Sequence, residues 1–360
     1  MRFRTSVRGL PALACLGWSL GVVALAGAVR AEEVRVLLLE TRQTLAVGTA
    51  RVAPTGGPGG RLEVDGQVQG PRWEAPGSGP HQVGDHHVRG RVEVERTRDG
   101  LRVINRVPLE AYVAGTLGAE MYARWEPAAL QAQAVASRTY ALYQQRRRRA
   151  EPYDVGTSTR DQVYRGLAAE TPEIREAVAG TRGEVLLWKG EPILAAFHSA
   201  SGGQTASAAE VWGRAVPYLR SRAVADEDAS PHTYWRARIA RTKLGPALAP
   251  LGLDLGAIRT LRVVGRTPSG RVAHVELVGS QGSERVTARA LRTVLGASVL
   301  RSTLFEIRET DDAVSFVGSG HGHGVGMSQW GAQAMAERGA GYREILATFY
   351  PGTTLARRNP

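Results

Sequence analysis

Cysteine is nearly missing from this chain of 360 residues. The single one, Cys15, sits in an apolar N-terminal run. Beyond it, disulfides and cysteine-ligated metals are excluded. No segment recurs at solenoid length, which argues against a repeat protein. The glycine-rich stretch Gly320 to Gly326 lacks the Lys-Ser/Thr ending of a phosphate-binding P-loop. Residues 153–161, Tyr-Asp-Val-Gly-Thr-Ser-Thr-Arg-Asp, contain neither Cys nor His.

What is present begins with a tripartite N-terminus. Arg2, Arg4 and Arg8 precede an apolar run from Leu10 to about Ala28. The small residues of Ala28-Val-Arg-Ala31 then lead into Glu32-Glu33. This pattern predicts a secretory signal peptide over residues 1–31, cut after Ala31. An uncleaved anchor is the rival reading, because the run approaches the roughly 18–20 residues that span a bilayer. Cys15 follows Leu13-Ala14 but comes too early in the run for a lipoprotein site. The expected location is outside the inner membrane, in the periplasm or cell wall.

The formal charge is +12, and loss of Arg2, Arg4, Arg8 and Arg30 with the leader lowers it to +8. Such a surface is drawn to anionic wall polymers and lipid headgroups. Nucleic acid is the competing partner for basic charge, and export argues against it. Membrane contact is expected only through the signal segment or surface charge. The run Arg146 to Arg149 reads as a solvated helix end, where cations suit the helix dipole.

The pattern predicts an α+β fold, in which a helical core packs with β-rich segments and carries an inserted subdomain. The expected organisation is a β-rich region over 32–106, a core over 107–229, an inserted subdomain over 230–316 and a C-terminal core segment over 317–360. Val34 to Leu39 has strand length, and Arg91 to Val107 reads as a hairpin turning at Arg98-Asp-Gly100. Pro54 to Gly60 and Pro71 to Pro80 are Gly/Pro-rich and read as loops. Leu261 to Val264 and Val272 to Val278 are the clearest strands of the insert. Met327 to Phe349 reads as helical.

A helix is expected from about Pro108 to Met121, with proline in its first turn. At about 100° per residue, Leu109, Val113 and Leu117 share one stripe, and Glu120 falls inside it. Burial on that face would favour the protonated carboxyl, the form that general-acid cleavage of a glycosidic bond requires. The plainer reading is a helix-end glutamate paired with Arg124 or Arg138. A second helix, from Pro127 to about Arg147, carries Leu130, Ala134, Ser137 and Ala141 on one side, small enough for close packing. Arg138 lies at the edge of that face, placed to clamp a glutamate or a substrate oxygen, or to cover the core with its stem.

Six ordered segments resemble one family. They are Val107-Pro-Leu-Glu-Ala-Tyr-Val-Ala-Gly-Thr-Leu-Gly-Ala-Glu-Met121 with Leu130-Gln-Ala-Gln-Ala-Val-Ala-Ser-Arg-Thr-Tyr-Ala141; Asp161-Gln-Val-Tyr-Arg-Gly166; Phe197-His-Ser-Ala-Ser-Gly-Gly-Gln-Thr205 with Val216-Pro-Tyr-Leu219; and Gly320-His-Gly-His-Gly-Val-Gly-Met-Ser-Gln-Trp-Gly-Ala332. Together they are similar to stage II sporulation protein D and its LytB relatives, over about Val107 to Thr354. The resemblance implies a peptidoglycan lytic transglycosylase that leaves 1,6-anhydro-muramyl ends and prefers glycan stripped of stem peptides. It implies Glu120 as the acid/base, in the family's Glu-Met pair. The expected partners are glycan strands and other cell-wall hydrolases.

His198, Ser201, Gln204, Thr205, Tyr218, Asp228, His323 and Gln329, with Arg138, are the expected substrate-binding residues, and Trp212 is a candidate for stacking on a sugar. No cofactor is expected. A metal on His321, His323 and His198 is the weaker alternative for the glycine-histidine loop. Family members with a zinc site carry Cys and His before the Gln-Val-Tyr block, and that zinc site is expected to be absent here. The other functional class in play is a catalytically silent, glycan-binding or amidase-stimulating wall protein.

Overall fold

The computed structural model describes Met1 and residues 32–56, 60–77, 79–225 and 227–358. The predicted signal segment and Cys15 lie outside the described residues. Among the described residues no helix is long and apolar enough to cross a membrane. The fold is α+β: helices gather around a long central one, and the strands form several separate sheets.

The hairpin forms as its alternation predicts. Arg91–Thr97 pairs antiparallel with Gly100–Pro108, Val94 facing Val103. Glu33–Thr41 adds to the far side, Val34 facing Val107. The inward valines, Val34, Val36, Val92, Val94 and Val103, are fully buried. Gly100 has φ +145°, and a Cβ there would lie 2.2 Å from the Thr41 carbonyl oxygen, so the turn has no room for a side chain. Pro71 to Pro80 departs from its loop reading: Arg72–Glu74 joins the edge of this sheet. A second sheet is built from six strands of two to five residues between Leu45 and Val88. Strands this short carry too few alternations to declare a period.

Helix α1, Leu109–Glu120, leaves the sheet directly at Pro108. Its burial is wider than one stripe, taking in Tyr112, Ala114, Gly115 and Thr116 beside Val113 and Leu117. Two glycines explain this. A Cβ on Gly118 would lie 2.0 Å from the Ala169 carbonyl oxygen, and one on Gly115 would press on Tyr164 and the Gly166 backbone. Without side chains there, the segment around 163–169 lies flat across the helix, and the Arg165 N–H donates to the Gly115 carbonyl at 3.0 Å.

Helix α2, Pro127–Arg147, runs through the centre. It packs against α1, the helices Pro172–Gly180, Gln329–Glu337 and Tyr342–Phe349, and the strand Glu184–Trp188. That crowding requires small residues: Ala129, Ala132, Ala134, Ala136 and Ala141 have no exposed surface. Residues 235–316 hold a separate hydrophobic core around Leu244, Val275, Leu277, Leu291, Leu300 and Phe316. It lies between the sheet of Trp235–Ala240, Ala313–Gly318 and Phe305–Glu309 and that of Ile258–Arg266, Val272–Gly279 and Ser283–Thr287.

Candidate functional site

Glu120 is the last residue of α1. Its Oε1 accepts the Val163 N–H at 2.6 Å, and the Gln329 amide also donates to the carboxylate. Burial raises its pKa above the ordinary glutamate value, and these two donors oppose the rise without cancelling it. Neither Arg124 nor Arg138 is its partner, so the plainer ion-pair reading does not hold. Desolvation dominates and favours the neutral acid.

The loop that supplies Val163 is held in place by ion pairs. Arg35 grips the fully buried Asp154 at 2.6 Å. Asp161 accepts from Arg148 at 3.0 Å, from the Gly156 N–H at 2.9 Å and from the Tyr140 hydroxyl at 3.1 Å. Carboxylates and arginines thus tie residues 153–161 to the end of α2 and to the first strand. The run at that helix end is only partly a solvated face, since Arg148 is committed to this anchor.

Gln329, the first residue of its helix, is held by the cap below it. Ser328 accepts the Gly331 N–H at 3.2 Å and donates its hydroxyl to Glu227. Glu227 is 6% exposed and collects the N–H groups of Ser201, Gly202 and Gly203 at 3.0, 2.9 and 3.2 Å, and the Ser201 hydroxyl at 2.6 Å. Gly202 and Gly203, at φ +76° and +98°, turn successive N–H groups toward one anion, the backbone nest arrangement. From the inserted segment, Arg271 Nη2 donates to the Ser201 and Gln204 carbonyls at 2.9 and 3.2 Å. Burial pulls its pKa down to about 10. A Cβ on Gly324 would lie 2.2 Å from this guanidinium, so the glycine-histidine loop covers it only because that position is bare.

Of the expected substrate contacts, only Gln329 is brought to Glu120. Ser201 and Thr205 are buried, with hydroxyls spent on Glu227 and on the Arg222 N–H. Tyr218 is buried with its hydroxyl on the Leu194 N–H at 3.1 Å. Arg138 is fully buried and forks onto Glu110 at 2.7 and 2.9 Å. His198 is buried, with Nδ1 on the Val325 carbonyl at 3.1 Å. Arg138, Ser201, Thr205 and Tyr218 thus bond to the protein's own atoms, and His198 keeps a buried Nε2 with no hydrogen-bond partner. Gln204 is exposed and its amide donates to the Ser221 hydroxyl at 2.9 Å. Asp228 is exposed, and its neighbour Glu227 is the carboxylate that turns inward. Nothing in the sequence singles out Glu227, Arg271 or the Val163 amide. Adjacent acids in a short turn give no periodicity to choose between them, and a backbone donor has no signature in sequence.

The histidines of the glycine loop are neutral. Val325 N–H donates to His323 Nδ1 at 3.0 Å, which leaves the proton on Nε2. The ring lies 5.7 Å from that of His198 and 5.5 Å from that of Trp212. His321 Nδ1 is 3.2 Å from His232 Nε2. Because Arg301 can only donate to His232 Nδ1, at 3.0 Å, the neutral His232 carries its proton on Nε2 and passes it toward His321. Among the described residues no group of three or more His, Cys, Asp or Glu could hold a metal ion.

Burial, then the charges of Arg292 and Arg271, push His323 down to about 4. Its folded pKa is therefore below the 6.5 of the unfolded chain. As pH falls from about 6.5 toward 4, the unfolded state binds a proton that the fold refuses, and stability is lost over that window. The contribution of His323 is roughly 2–3 kcal/mol. Urea midpoints at pH 7.5 and 5 should separate in the native protein and draw closer in His323→Gln. An equal separation in both would rule out this assignment.

A family model described as stage II sporulation protein matches residues 97–188, the span that contains α1, α2 and the Val163 loop. A second, described only as a domain of unknown function, matches 219–326. An uncharacterized protein of Brachyspira hyodysenteriae is 34% identical over 262 residues, covering 72% of this chain and 70% of its own. Stage II sporulation protein D of Bacillus subtilis is 33% identical over 285 residues, covering 74% and 79%. The amidase enhancer of Bacillus subtilis is 30% identical over 294 residues, 67% of this chain but 40% of that longer protein. With its blocks in order and this extent of match, the chain belongs to the stage II sporulation protein D family.

Proposed function

We propose that this protein is an exported peptidoglycan lytic transglycosylase acting on glycan strands freed of stem peptides, with Glu120 as its one acid/base. The observation that carries the reading is Glu120 itself, a carboxyl at the end of a buried helix, whose pKa burial raises above the ordinary glutamate value. In the proposed step, Glu120 gives its proton to the oxygen that joins N-acetylmuramic acid to N-acetylglucosamine, and the bond from C1 to that oxygen breaks. The muramyl 6-hydroxyl attacks C1 and closes the anhydro ring. Its proton returns to the Glu120 carboxylate, so the enzyme ends as it began. Because no water is consumed, one carboxyl suffices where hydrolysis uses two. The Val163 N–H and the Gln329 amide stabilise the carboxylate formed midway.

The similarity to an amidase enhancer favours a second reading, in which the protein binds glycan and stimulates a wall amidase without cutting. Digestion of purified glycan, with and without stem peptides, separates the two. Mass analysis should find 1,6-anhydro-muramyl ends from peptide-free strands. Reducing ends in their place would indicate a hydrolase, and unaltered glycan together with faster amidase action would establish the second reading.

A further inference from the structure

Gln162 and Tyr112 are buried polar residues that a hydrophobic core does not need. Gln162 has no exposed surface. Its Oε1 accepts the Tyr112 hydroxyl at 2.8 Å, and its Nε2 has no hydrogen-bond partner. The oxygen and nitrogen of such an amide can be exchanged, but either way one end is served and the other is bare. A buried amide left half-satisfied destabilises a core, whereas two apolar side chains of the same shape would not. Proteins break such packing rules mainly at functional sites.

One peptide joins Gln162 to Val163, whose N–H donates to Glu120 at 2.6 Å. On the other side of Val163, Tyr164 stacks on Tyr112 with ring centres 5.4 Å apart and planes 19° from parallel. Tyr112 is therefore held by its hydroxyl and by its ring, and the Val163 amide lies between the two grips. The stack is tied in turn to the hairpin. Tyr164 donates its hydroxyl to Asn105 at 2.9 Å, and the Asn105 amide donates to the Arg89 and Arg91 carbonyls at 2.8 and 3.0 Å. Asn105 has no exposed surface and shares the inward register of Leu101, Val103 and Val107. A chain of buried side chains thus runs from the hairpin to the residue before the Val163 amide. Tyr112 and Glu120 both belong to α1, so the acid and its donor are referred to one rigid helix. Besides Glu120, the ionisable groups acting on the Tyr112 hydroxyl are Tyr140 and Asp161. Burial holds that hydroxyl far above its ordinary range, so it stays a donor at any working pH.

We propose that Tyr112 and Gln162 are positioning residues for the acid: the hydroxyl fixes the amide side chain, which fixes the next peptide so that the Val163 N–H meets the Glu120 carboxylate. The proposal rests on the reading of Glu120 as the acid. Both residues are fully buried, so they act through the Val163 amide and not on substrate. Without this hold the Val163 N–H drifts, and the carboxylate loses one of its two donors. Burial is then opposed by the Gln329 amide alone, and Glu120 becomes harder to ionise.

Titration of the carboxyl tests this separately from cleavage. Full mature protein is prepared with isotope-labelled glutamate, and the Glu120 carboxyl resonance is identified by its loss in Glu120→Gln. Tyr112→Phe removes the hydroxyl and keeps the ring stack. Its Glu120 midpoint should rise by about half to one pH unit. Its kcat should fall roughly fivefold to tenfold with KM little changed, and the alkaline limb of activity should follow the midpoint. The double variant Tyr112→Phe, Gln162→Met replaces both polar partners by apolar groups. Its urea midpoint should equal or exceed that of wild type, yet the raised Glu120 midpoint and the lower kcat should persist. A pair that serves packing alone predicts that the Glu120 midpoint and kcat recover along with stability, and that result overturns the proposal. So does a Glu120 midpoint that keeps its wild-type value in Tyr112→Phe, whether or not wild type cuts glycan. A raised midpoint in both variants of a protein that yields no anhydro-muramyl ends would uphold the positioning role and sink the lytic reading.

Discussion

Glu120→Gln is expected to lower glycan turnover by ~10² to 10⁴-fold, the usual worth of general acid/base help, while folding and glycan affinity persist. Glutamine is close in shape. Its carbonyl still accepts from the Val163 N–H, and the Gln329 amide can rotate to accept where it formerly donated. What disappears is the proton that must go out to the leaving oxygen and come back from the 6-hydroxyl. The same site predicts the pH profile. Burial raises the Glu120 pKa, so the alkaline limb of activity should lie above the ordinary range of glutamate. The sign for stability is opposite to that of the buried histidines. A carboxyl whose folded pKa exceeds its unfolded one supports the fold fully below the unfolded value and ceases to do so as pH rises through the folded value. Glu120→Gln should therefore melt no lower than wild type at alkaline pH. Equal turnover by wild type and a well-folded Glu120→Gln protein would end the mechanism. A large fall in melting temperature with turnover per folded molecule intact would make Glu120 a structural residue.

The parts of this molecule that could be read beforehand are those whose signal is a period. The hairpin of Arg91–Thr97 and Gly100–Pro108 buries every second residue, Val92 and Val94 on one strand and Leu101, Val103, Asn105 and Val107 on the other, and a tight turn sits between them. The placement of Glu120 was visible because a carboxylate interrupts an apolar helical stripe. Other features have no such signature. The six short strands between Leu45 and Val88 are too brief to show alternation. From its place on α2, Arg138 can reach a substrate or a glutamate, and its choice of Glu110 depends on helix α1 turning that residue toward α2. Ser201 and Thr205 sit in a polar, glycine-rich segment that looks suited to sugars, yet their hydroxyls are consumed by the protein. The difference arises from Glu227, a residue in a one-turn 3₁₀ helix whose inward direction follows from contacts formed more than 20 residues away.

Removing the Glu227 carboxylate should have the largest effect on the fold. Glu227→Ala would leave the Ser201, Gly202 and Gly203 N–H groups and the hydroxyls of Ser201 and Ser328 without their shared acceptor. These groups are buried or part-buried. Breaking a buried charged network of this kind costs about 3–5 kcal/mol, and each orphaned donor ~1–3 kcal/mol. The alanine protein is expected to fold poorly. Glu227→Gln is the more informative variant, because one amide oxygen still accepts while the amide nitrogen faces donors. It should lose roughly 2–3 kcal/mol in urea unfolding and remain assayable. The functional consequence passes through Ser328. Loosening that cap shifts Gln329, which donates to Glu120 and lowers its pKa. With that donor weakened, the Glu120 carboxyl becomes harder to ionise, and the alkaline limb of activity should move to higher pH as kcat falls. A residue that serves only to fill and brace the core would lower stability without moving the limb. An alkaline limb that stays in place in Glu227→Gln, or a urea midpoint equal to that of wild type, would break the proposed link from the Ser201–Gly203 nest through Ser328 and Gln329 to the acid.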